Sequence, residues 1–420
     1  MKITTFNSFK SRNYRLYFSG QSVSLIGTWM QRTAVYWLVF DQTHSNFMLG
    51  LVVFATQFPS FLFSPLGGVI SDRYNRYRVT LATQTCSMIQ AAILSIVVLF
   101  THYSIWEIFL LSVVMGVVNA FDLPARQSLV NEVVDDERNL QNAIALNSSM
   151  GKLAWLIGPA ISGIILEKLG AGTCFLINAF SYLAVITSLL LMRITPYVPQ
   201  PHTKKIMKEF KEGFNYLKNT PSLGKIVIML ACVSLLVLPF NTLLPVYAKV
   251  IFHGTASTYG YLNSAIGLGA LVGAILLASL KPGANLKKLL FINLVILSIA
   301  LLIFSHITNF SIALCTASLA GFAMMSQTTI CNTIIQTEAS IEMRGRALSF
   351  FAMAFFGMQP LGGLLTGTIS QYIGAPYTIL AQSIAAIIIA ALFFSFLFSK
   401  KKKGKHALDE ENLQTQLSNN

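Results

Sequence analysis

The sequence predicts an all-α membrane protein with twelve transmembrane helices in two pseudo-symmetric six-helix bundles. Three observations lead to this prediction. Hydrophobic residues make up 54% of the 420-residue chain and charged residues only 11%. Apolar runs long enough to span a bilayer recur along the whole chain, and the basic residues fall almost entirely between alternate runs. A soluble enzyme with a large core carries a much higher share of charged residues.

Twelve apolar runs are about 20 residues long or longer, which is the length that crosses a ~30 Å hydrocarbon core at 1.5 Å per residue. Each run therefore predicts one transmembrane helix. The runs cover residues 14–40, 47–70, 79–100, 105–133, 141–167, 172–193, 223–248, 258–280, 287–305, 309–337, 345–371 and 375–399.

The basic residues support this count. Nearly all of the 30 Lys and Arg residues fall on the side of both termini. Only Lys168 and Lys249 fall on the opposite side, while Arg32 and Lys152 lie inside helices. Because Lys and Arg accumulate in cytoplasmic loops, we expect both termini in the cytoplasm and a multi-pass protein of a bacterial-type inner (plasma) membrane. The same distribution argues against nucleic acid as a partner.

A charged segment follows the second helix and reads GGVISDRYNRYR from Gly67 to Arg78. Its spacing resembles the signature G-x-x-x-D-[RK]-x-G-[RK]-[RK] that follows helix 2 in the major facilitator superfamily. Asn75 stands in place of the second glycine of the signature, and Tyr77 in place of its last basic residue. The matching residues are Gly68, Asp72, Arg73 and Arg76.

The resemblance implies a role in gating for this segment. In the superfamily the acidic residue sits against the start of helix 11, while the arginine pairs with an acid on helix 4 and locks the outward-facing state. These roles fall here on Asp72, Arg76 and Asp122. The plain alternative is a topology determinant with a surface ion pair worth under ~1 kcal/mol.

Helix 5 carries a stripe of small residues made of Ala154, Gly158, Pro159, Ser162 and Gly163. The stripe resembles the superfamily's antiporter motif G-x-x-x-G-P-x-x-G-G, with Ala154 and Ser162 in place of two glycines. Small residues let helices approach closely, and a proline can bend a helix. The stripe therefore favours a seam that opens and closes, with ordinary helix packing as the alternative.

A polar segment divides the chain into related halves. It contains KKIMKEFKEGFNYLK, whose apolar residues fall on one helical face, so we expect a basic amphipathic helix on the inner leaflet. The second half repeats the first 204 residues later, since Gly158 corresponds to Gly362 and Gly163 to Gly367. The predicted units are a bundle at 1–193, a linker at 194–222, a bundle at 223–399 and a disordered tail at 400–420.

Arg32 and Lys152 are predicted to lie within the membrane with no acidic residue at comparable depth. Two such cations in a cavity attract an anionic group; the alternative is that they bond to neutral neighbours or extend to the surface. Antiporters of the resembling type often carry a membrane-embedded acid in helix 1, where this chain has Arg32. The candidate residues for substrate or protons are therefore Arg32, Lys152, Arg126, Glu132 and Gln57, with Asp122 and Glu132 as candidate proton acceptors.

The function predicted from the sequence is secondary transport. Three segments of the first half, NYRLYFSGQSVSLIGTWMQR, FDLPARQSLV and NAIALNSS, are similar to the exporter branch of the superfamily. That branch handles siderophores and drugs. We expect a monomer that exports a small amphipathic or anionic molecule, with or without coupling to protons, in contact with membrane lipid. A lysophospholipid flippase or facilitator is the alternative within transport. A membrane-embedded sensor or enzyme would need a catalytic or metal constellation, and we expect no enzyme activity, metal or cofactor.

Overall fold

The computed structural model describes residues 7–193, 206–280 and 283–398, and these residues form helices and turns without strands. Six long helices form the N-terminal bundle and six form the C-terminal bundle, with one short helix between them. The first seven are α1 Arg12–Thr43, α2 Asn46–Arg73, α3 Arg76–Phe100, α4 Ile105–Val133, α5 Leu140–Leu169, α6 Ala171–Leu190 and α7 Ile206–Asn219. The rest are α8 Pro221–Ile251, α9 Ala256–Ala278, α10 Leu286–His306, α11 Phe310–Glu338, α12 Arg344–Ile373 and α13 Ala375–Phe398.

Eleven helices in the described ranges are long and apolar enough to cross a membrane. The remaining long helix, α1, has 32 residues but is less apolar. Its polar side chains explain the difference, because Gln21 and Gln31 are buried within the N-terminal bundle. The structure therefore agrees with the predicted all-α fold of twelve membrane helices. The predicted tail at 400–420 and the first part of the linker lie outside the described residues.

The short helix α7 packs against the start of α12. Glu212 forms an ion pair of 2.8 Å with Arg346, and the ring of Phe210 lies 5.0 Å from that of Phe350. Phe210 and Phe214 remain about half exposed, at 46% and 55%. The helix is thus amphipathic as predicted from its sequence, and one part of it is held by the C-terminal bundle.

The two bundles meet along two seams, α5 against α9 and α2 against α12. Glycines make both contacts possible. A Cβ on Gly163 would lie 2.8 Å from the carbonyl oxygen of Ala256, and one on Gly50 would lie 2.7 Å from that of Gly363. A side chain at either position would therefore collide with backbone, which cannot move aside as a flexible side chain can.

We call the end of the molecule where both seams terminate the closed end, because polar contacts join the bundles there. Lys249 of α8 pairs with Asp41 of α1, with 2.5 Å between Nζ and Oδ1. Glu167 of α5 accepts hydrogen bonds from the hydroxyls of Thr255 (2.8 Å) and Ser257. The other seam has a matching contact, in which Gln371 of α12 accepts from Ser45 Oγ at 3.0 Å and from the amide of Phe47 at 3.2 Å.

The opposite end, which we call the basic end, carries the loops rich in Lys and Arg. Here a polar stripe on α5 is exposed, and no atom lies within 4 Å of a Cβ built on Gly151. The bundles therefore diverge toward the basic end and leave a cleft between them. This exposed, mainly polar stripe consists of Gln141, Ala145, Ser148 and Ser149 and is separate from the small-residue stripe of the same helix.

The seam geometry makes a testable prediction about Gly163. Gly163→Val should keep the bundles from closing, because its side chain would meet the backbone of α9. Gly151→Val introduces the same β-branched residue into the same helix, where the structure leaves open space. In a background without the five native cysteines, a cysteine at Ser45 should react with an impermeant maleimide several-fold faster in Gly163→Val than in Gly151→Val. Equal rates in the two variants would show that the seam tolerates a side chain.

Candidate functional site

Arg32 lies on α1, one helical turn after a tryptophan, and is only partly buried. Its guanidinium carbon is 4.9 Å from the centroid of the Trp29 ring, a cation–π contact. Among the described residues, no carboxylate lies within ion-pair distance of Arg32. The contact that the described residues give to this charge is therefore an aromatic ring.

The Trp29 ring continues into a contact between the bundles. It stacks on Trp155 of α5 with centroids 5.2 Å apart and planes inclined by 9°. Trp155 Nε1 in turn donates a hydrogen bond of 3.2 Å to Asn263 Oδ1 on α9. Gly158 makes room for this arrangement, since a Cβ there would lie 2.6 Å from Trp29 Cβ. A cation, two indoles and an amide thus form one row across α1, α5 and α9.

A small polar cavity of about 20 Å³ lies on another side of Arg32 within the N-terminal bundle. This volume has room for about one water molecule. Gln57, a candidate residue for substrate or protons, donates to the hydroxyl of Tyr36 at 3.5 Å. The polar residues that line the cavity are Thr28, Gln31, Arg32, Tyr36, Thr56, Gln90, Ser112 and Asn119.

Lys152 extends the exposed polar stripe of α5 and faces the cleft nearer the basic end. Its depth follows from the contact between α1 and α5, where Ser162 Oγ donates to the carbonyl oxygen of Met30 at 3.0 Å. At 1.5 Å per residue along two roughly parallel helices, Lys152 lies roughly 15–18 Å from Arg32 along the bundle axis. The two cations therefore lie at different depths, and their joint contact with one substrate stays a prediction.

Asp122 lies inside the N-terminal bundle and not at its surface. It forms an ion pair of 3.1 Å with Arg126 one turn later on α4. Its other oxygen accepts from Thr83 Oγ1 at 2.9 Å and from Gln84 Nε2 at 2.7 Å, both on α3. Asp122 is 6% exposed. The carboxylate is thus held by three donors and joins α3 to α4.

Arg76 pairs with Glu132 and not, as the resemblance implied, with Asp122. The distance between Arg76 Nη1 and Glu132 Oε1 is 3.1 Å. The reason is depth, because Asp122 precedes Glu132 by ten residues on α4 and so lies about 15 Å farther from the basic end. Arg76 begins α3 at the basic end, whereas α3 presents Thr83 and Gln84 to Asp122.

The other residues of the motif after α2 lie where the bundles separate. Asp72 and Arg73 are exposed at the end of α2, and a Cβ on Gly68 would meet no atom within 4 Å. These positions leave room for a second arrangement in which the basic end closes. Their gating role stays a prediction.

The small-residue stripe of α5 serves two partners. Gly158 and Ser162 face α1, whereas Pro159 and Gly163 face α9. A Cβ on Gly260 of α9 would lie 3.0 Å from Gly163 Cα. Ala154 is buried on the same helix. One face of the stripe therefore packs α5 against α1 of its own bundle, and the adjacent face forms the seam with α9 of the other bundle.

Sequence reasoning missed Trp29, Trp155, Asn263 and Gly260. The tryptophans carried a weak signal, because Trp29 precedes Arg32 by one helical turn and Trp155 precedes Gly158 by the same step. The meeting of Trp155 with Asn263 had no local signal, since the two residues come from different bundles. Among the described residues there is no group of three His, Cys, Asp or Glu side chains placed to hold a metal ion.

The buried ion pair predicts the consequence of neutralising Asp122. Asp122→Asn should destabilise the protein by about 3 kcal/mol, because it leaves the charge of Arg126 buried without its counter-ion. Combining it with Arg126→Gln should cost less than the sum of the single changes. Thermal unfolding followed by size-exclusion chromatography measures this, with Glu107→Gln at the exposed start of α4 as the control. A variant as stable as the control would contradict the assignment of Asp122 to the structural core.

The family model described as Transmembrane secretion effector matches residues 3–419. The staphyloferrin A transporter of Staphylococcus aureus is 26% identical over 402 residues, which cover 95% of this chain and 98% of that protein. The enterobactin exporter EntS of Shigella flexneri is 24% identical, with 93% and 92% covered. Macrolide efflux protein A of Streptococcus pyogenes is 20% identical, with 92% and 96% covered.

Solved structures share the fold at low sequence identity. A bacterial homologue of the human lysosomal transporter Spinster, in an inward-facing and unoccupied conformation, has a TM-score of 0.72 at 15% identity and covers 95% of this chain. The nucleoside transporter NupG has a TM-score of 0.73 at 14% identity and covers 93%. With the family model matching almost the whole chain, the protein belongs to the transmembrane secretion effector family and is a multi-pass transporter of small molecules in the major facilitator superfamily, not an enzyme.

Proposed function

We propose that this protein exports a small amphipathic molecule with a negatively charged group from the cytoplasm by alternating access. One observation carries the proposal: the bundles separate toward the basic end, where Lys152 extends the exposed face of α5. Basic loops mark the cytoplasmic side of a membrane protein. In that orientation the structure is open to the cytoplasm and sealed toward the outside, as an exporter awaiting cargo must be.

The names of relatives support the direction and the kind of cargo. A staphyloferrin A transporter, an enterobactin exporter and a macrolide efflux protein are similar over nearly the whole chain. Two of these three names state outward movement. Lys152, on the exposed polar stripe of the cleft, supplies the positive potential that draws anionic molecules inward, and Arg32 lies deeper.

Glu132 is the stronger candidate for coupling to protons. Asp122 accepts three hydrogen bonds within the bundle core, so a proton there would disrupt the fold. Glu132 is half-buried near the basic end, and its Oε2 has no hydrogen-bond partner. A proton on Glu132 would weaken its ion pair with Arg76, which joins α3 to α4 at this end.

Inverted membrane vesicles test export and coupling together. The vesicles should take up staphyloferrin A, enterobactin or a macrolide when the interior is acidic, because their lumen corresponds to the outside of the cell. Glu132→Gln should move the same cargo down its gradient but lose the stimulation by the pH gradient. Failure of wild-type vesicles to take up any of the three, with or without a gradient, would contradict the proposed function. If the pH gradient still stimulates Glu132→Gln, Glu132 does not couple transport to protons, but the exporter function stands.

The gating role proposed for Asp72 gives a separate prediction. Asp72→Asn should lower the transport rate about tenfold or more while membrane abundance stays unchanged, because it shifts the balance between the states in which the basic end is open and closed. Asp135→Asn is the matched control, since Asp135 is also exposed at the basic end but lies outside the motif. Initial rates normalised to protein amount give the comparison. Equal rates for the two variants would reduce the motif to a topology determinant.

A further inference from the structure

We propose that Arg32, Trp29 and Trp155 form a binding site for a flat, negatively charged group of the cargo, and that Asn263 from the other bundle completes it. The inference rests on the proposed function in one respect, because the cargo must reach the inner end of the cleft. It goes beyond that function by naming the chemical class of the group that is recognised.

The charge of Arg32 calls for an anionic partner. A guanidinium within a membrane helix is costly unless something compensates its charge, and the described chain offers it a tryptophan face at 4.9 Å but no carboxylate. An aromatic ring offers the guanidinium N–H groups no oxygen acceptor. Those groups match the two oxygens of a carboxylate or a similar planar anion.

The paired tryptophans add selectivity for a flat group. Trp29 and Trp155 are nearly parallel, inclined by 9°, and both are only partly buried. The exposed parts of the two rings form an apolar surface, and Trp29 lies beside the cation. Offset stacking of another aromatic group on such a surface contributes about 0.5–1.5 kcal/mol beyond the area it buries. An aliphatic anion lacks this contribution, and a neutral aromatic group lacks the ionic one.

Asn263 makes the site depend on the conformation of the transporter. Its hydrogen bond with Trp155 crosses from α9 to α5. The two helices are also in close contact at Gly267, where a Cβ would lie 2.9 Å from Leu156 Cα. When α9 separates from α5 at the closed end, Trp155 loses this partner. The affinity for the anionic group is therefore higher while the closed end is shut, and release accompanies its opening.

Three probes separate the two kinds of recognition. They are 2-naphthoate, which is flat and anionic, 2-naphthamide, which is flat and neutral, and cyclohexanecarboxylate, which is anionic and not flat. Equilibrium dialysis with the purified full-length protein should show 2-naphthoate binding about tenfold more tightly than either of the others, as expected for a charged hydrogen bond or a stacking contact. Arg32→Gln should abolish the preference over the amide, and Trp155→Leu the preference over the aliphatic acid.

Substitutions of Asn263 and Trp155 test whether the C-terminal bundle contributes to binding. Asn263→Ala should weaken the binding of 2-naphthoate about fivefold, as should Trp155→Phe, which keeps a ring but removes the donor. Ser264→Ala is the control, because Ser264 is the next residue on α9 and its buried hydroxyl has no partner. It should bind 2-naphthoate as tightly as the wild type.

The outcomes decide between a cargo site and simple packing of three helices. Equal affinity for the three probes, or an Arg32→Gln protein with the wild-type preference, would overturn the proposal. If Arg32→Gln or Trp155→Leu fails to fold, Arg32→Lys and Trp155→Phe carry the test, and unchanged affinity in both would also overturn it. Vesicles that export cargo from a protein without probe preference would leave the exporter function standing. If the protein shows the probe preference but its vesicles export nothing, the binding site stands and the exporter function fails.

Discussion

The structure depends above all on the close approach of backbones at two glycine-lined seams. Gly163 meets Gly260 where α5 crosses α9, and Gly50 meets Gly367 where α2 crosses α12. Within a membrane, helices gain nothing from hydrophobic burial against each other, so packing and polar contacts decide how they associate. Bundles joined at these two seams and at the polar contacts beyond them can rotate as units about the contacts. The cleft, the sealed end and the exposure of the motif after α2 all follow from this arrangement.

The two halves share a framework but differ in charge. Glu167 and Gln371, 204 residues apart, make equivalent contacts at the closed end, so one seam carries a carboxylate where the other carries an amide. The same offset of 204 residues relates Asp122 of α4 to Ser326 of α11, and Arg126 to Ile330. Ser326 is buried, and its hydroxyl has no hydrogen-bond partner among the described residues. At these positions the N-terminal bundle holds the titratable groups, and the C-terminal bundle keeps the shape without the charge.

The sequence was sufficient for the fold because helix length, hydropathy and the positions of basic residues are local properties that the bilayer constrains strongly. It also identified the stripe on α5, since small residues at helical spacing are visible in the chain. It failed where two segments had to be placed at the same depth. Arg76 was assigned to Asp122 although Glu132 lies at its level, and the sequence did not show that Arg32 and Lys152 lie at different depths. Contacts such as Trp155 with Asn263 depend on how the bundles face each other, which no periodicity records.

Alternating access about the two seams is the central claim, and paired distances between spin labels test it most directly. One pair, at Ser64 and Ser349, spans α2 and α12 near the basic end. The other, at Phe47 and Tyr372, spans the same helices near the closed end, and all four side chains are exposed. Pulsed electron paramagnetic resonance across a series of pH values and cargo concentrations should show the first distance shortening as the second lengthens. Distances that stay fixed under all conditions, or that lengthen together, would contradict rigid rotation of the bundles about glycine-lined seams.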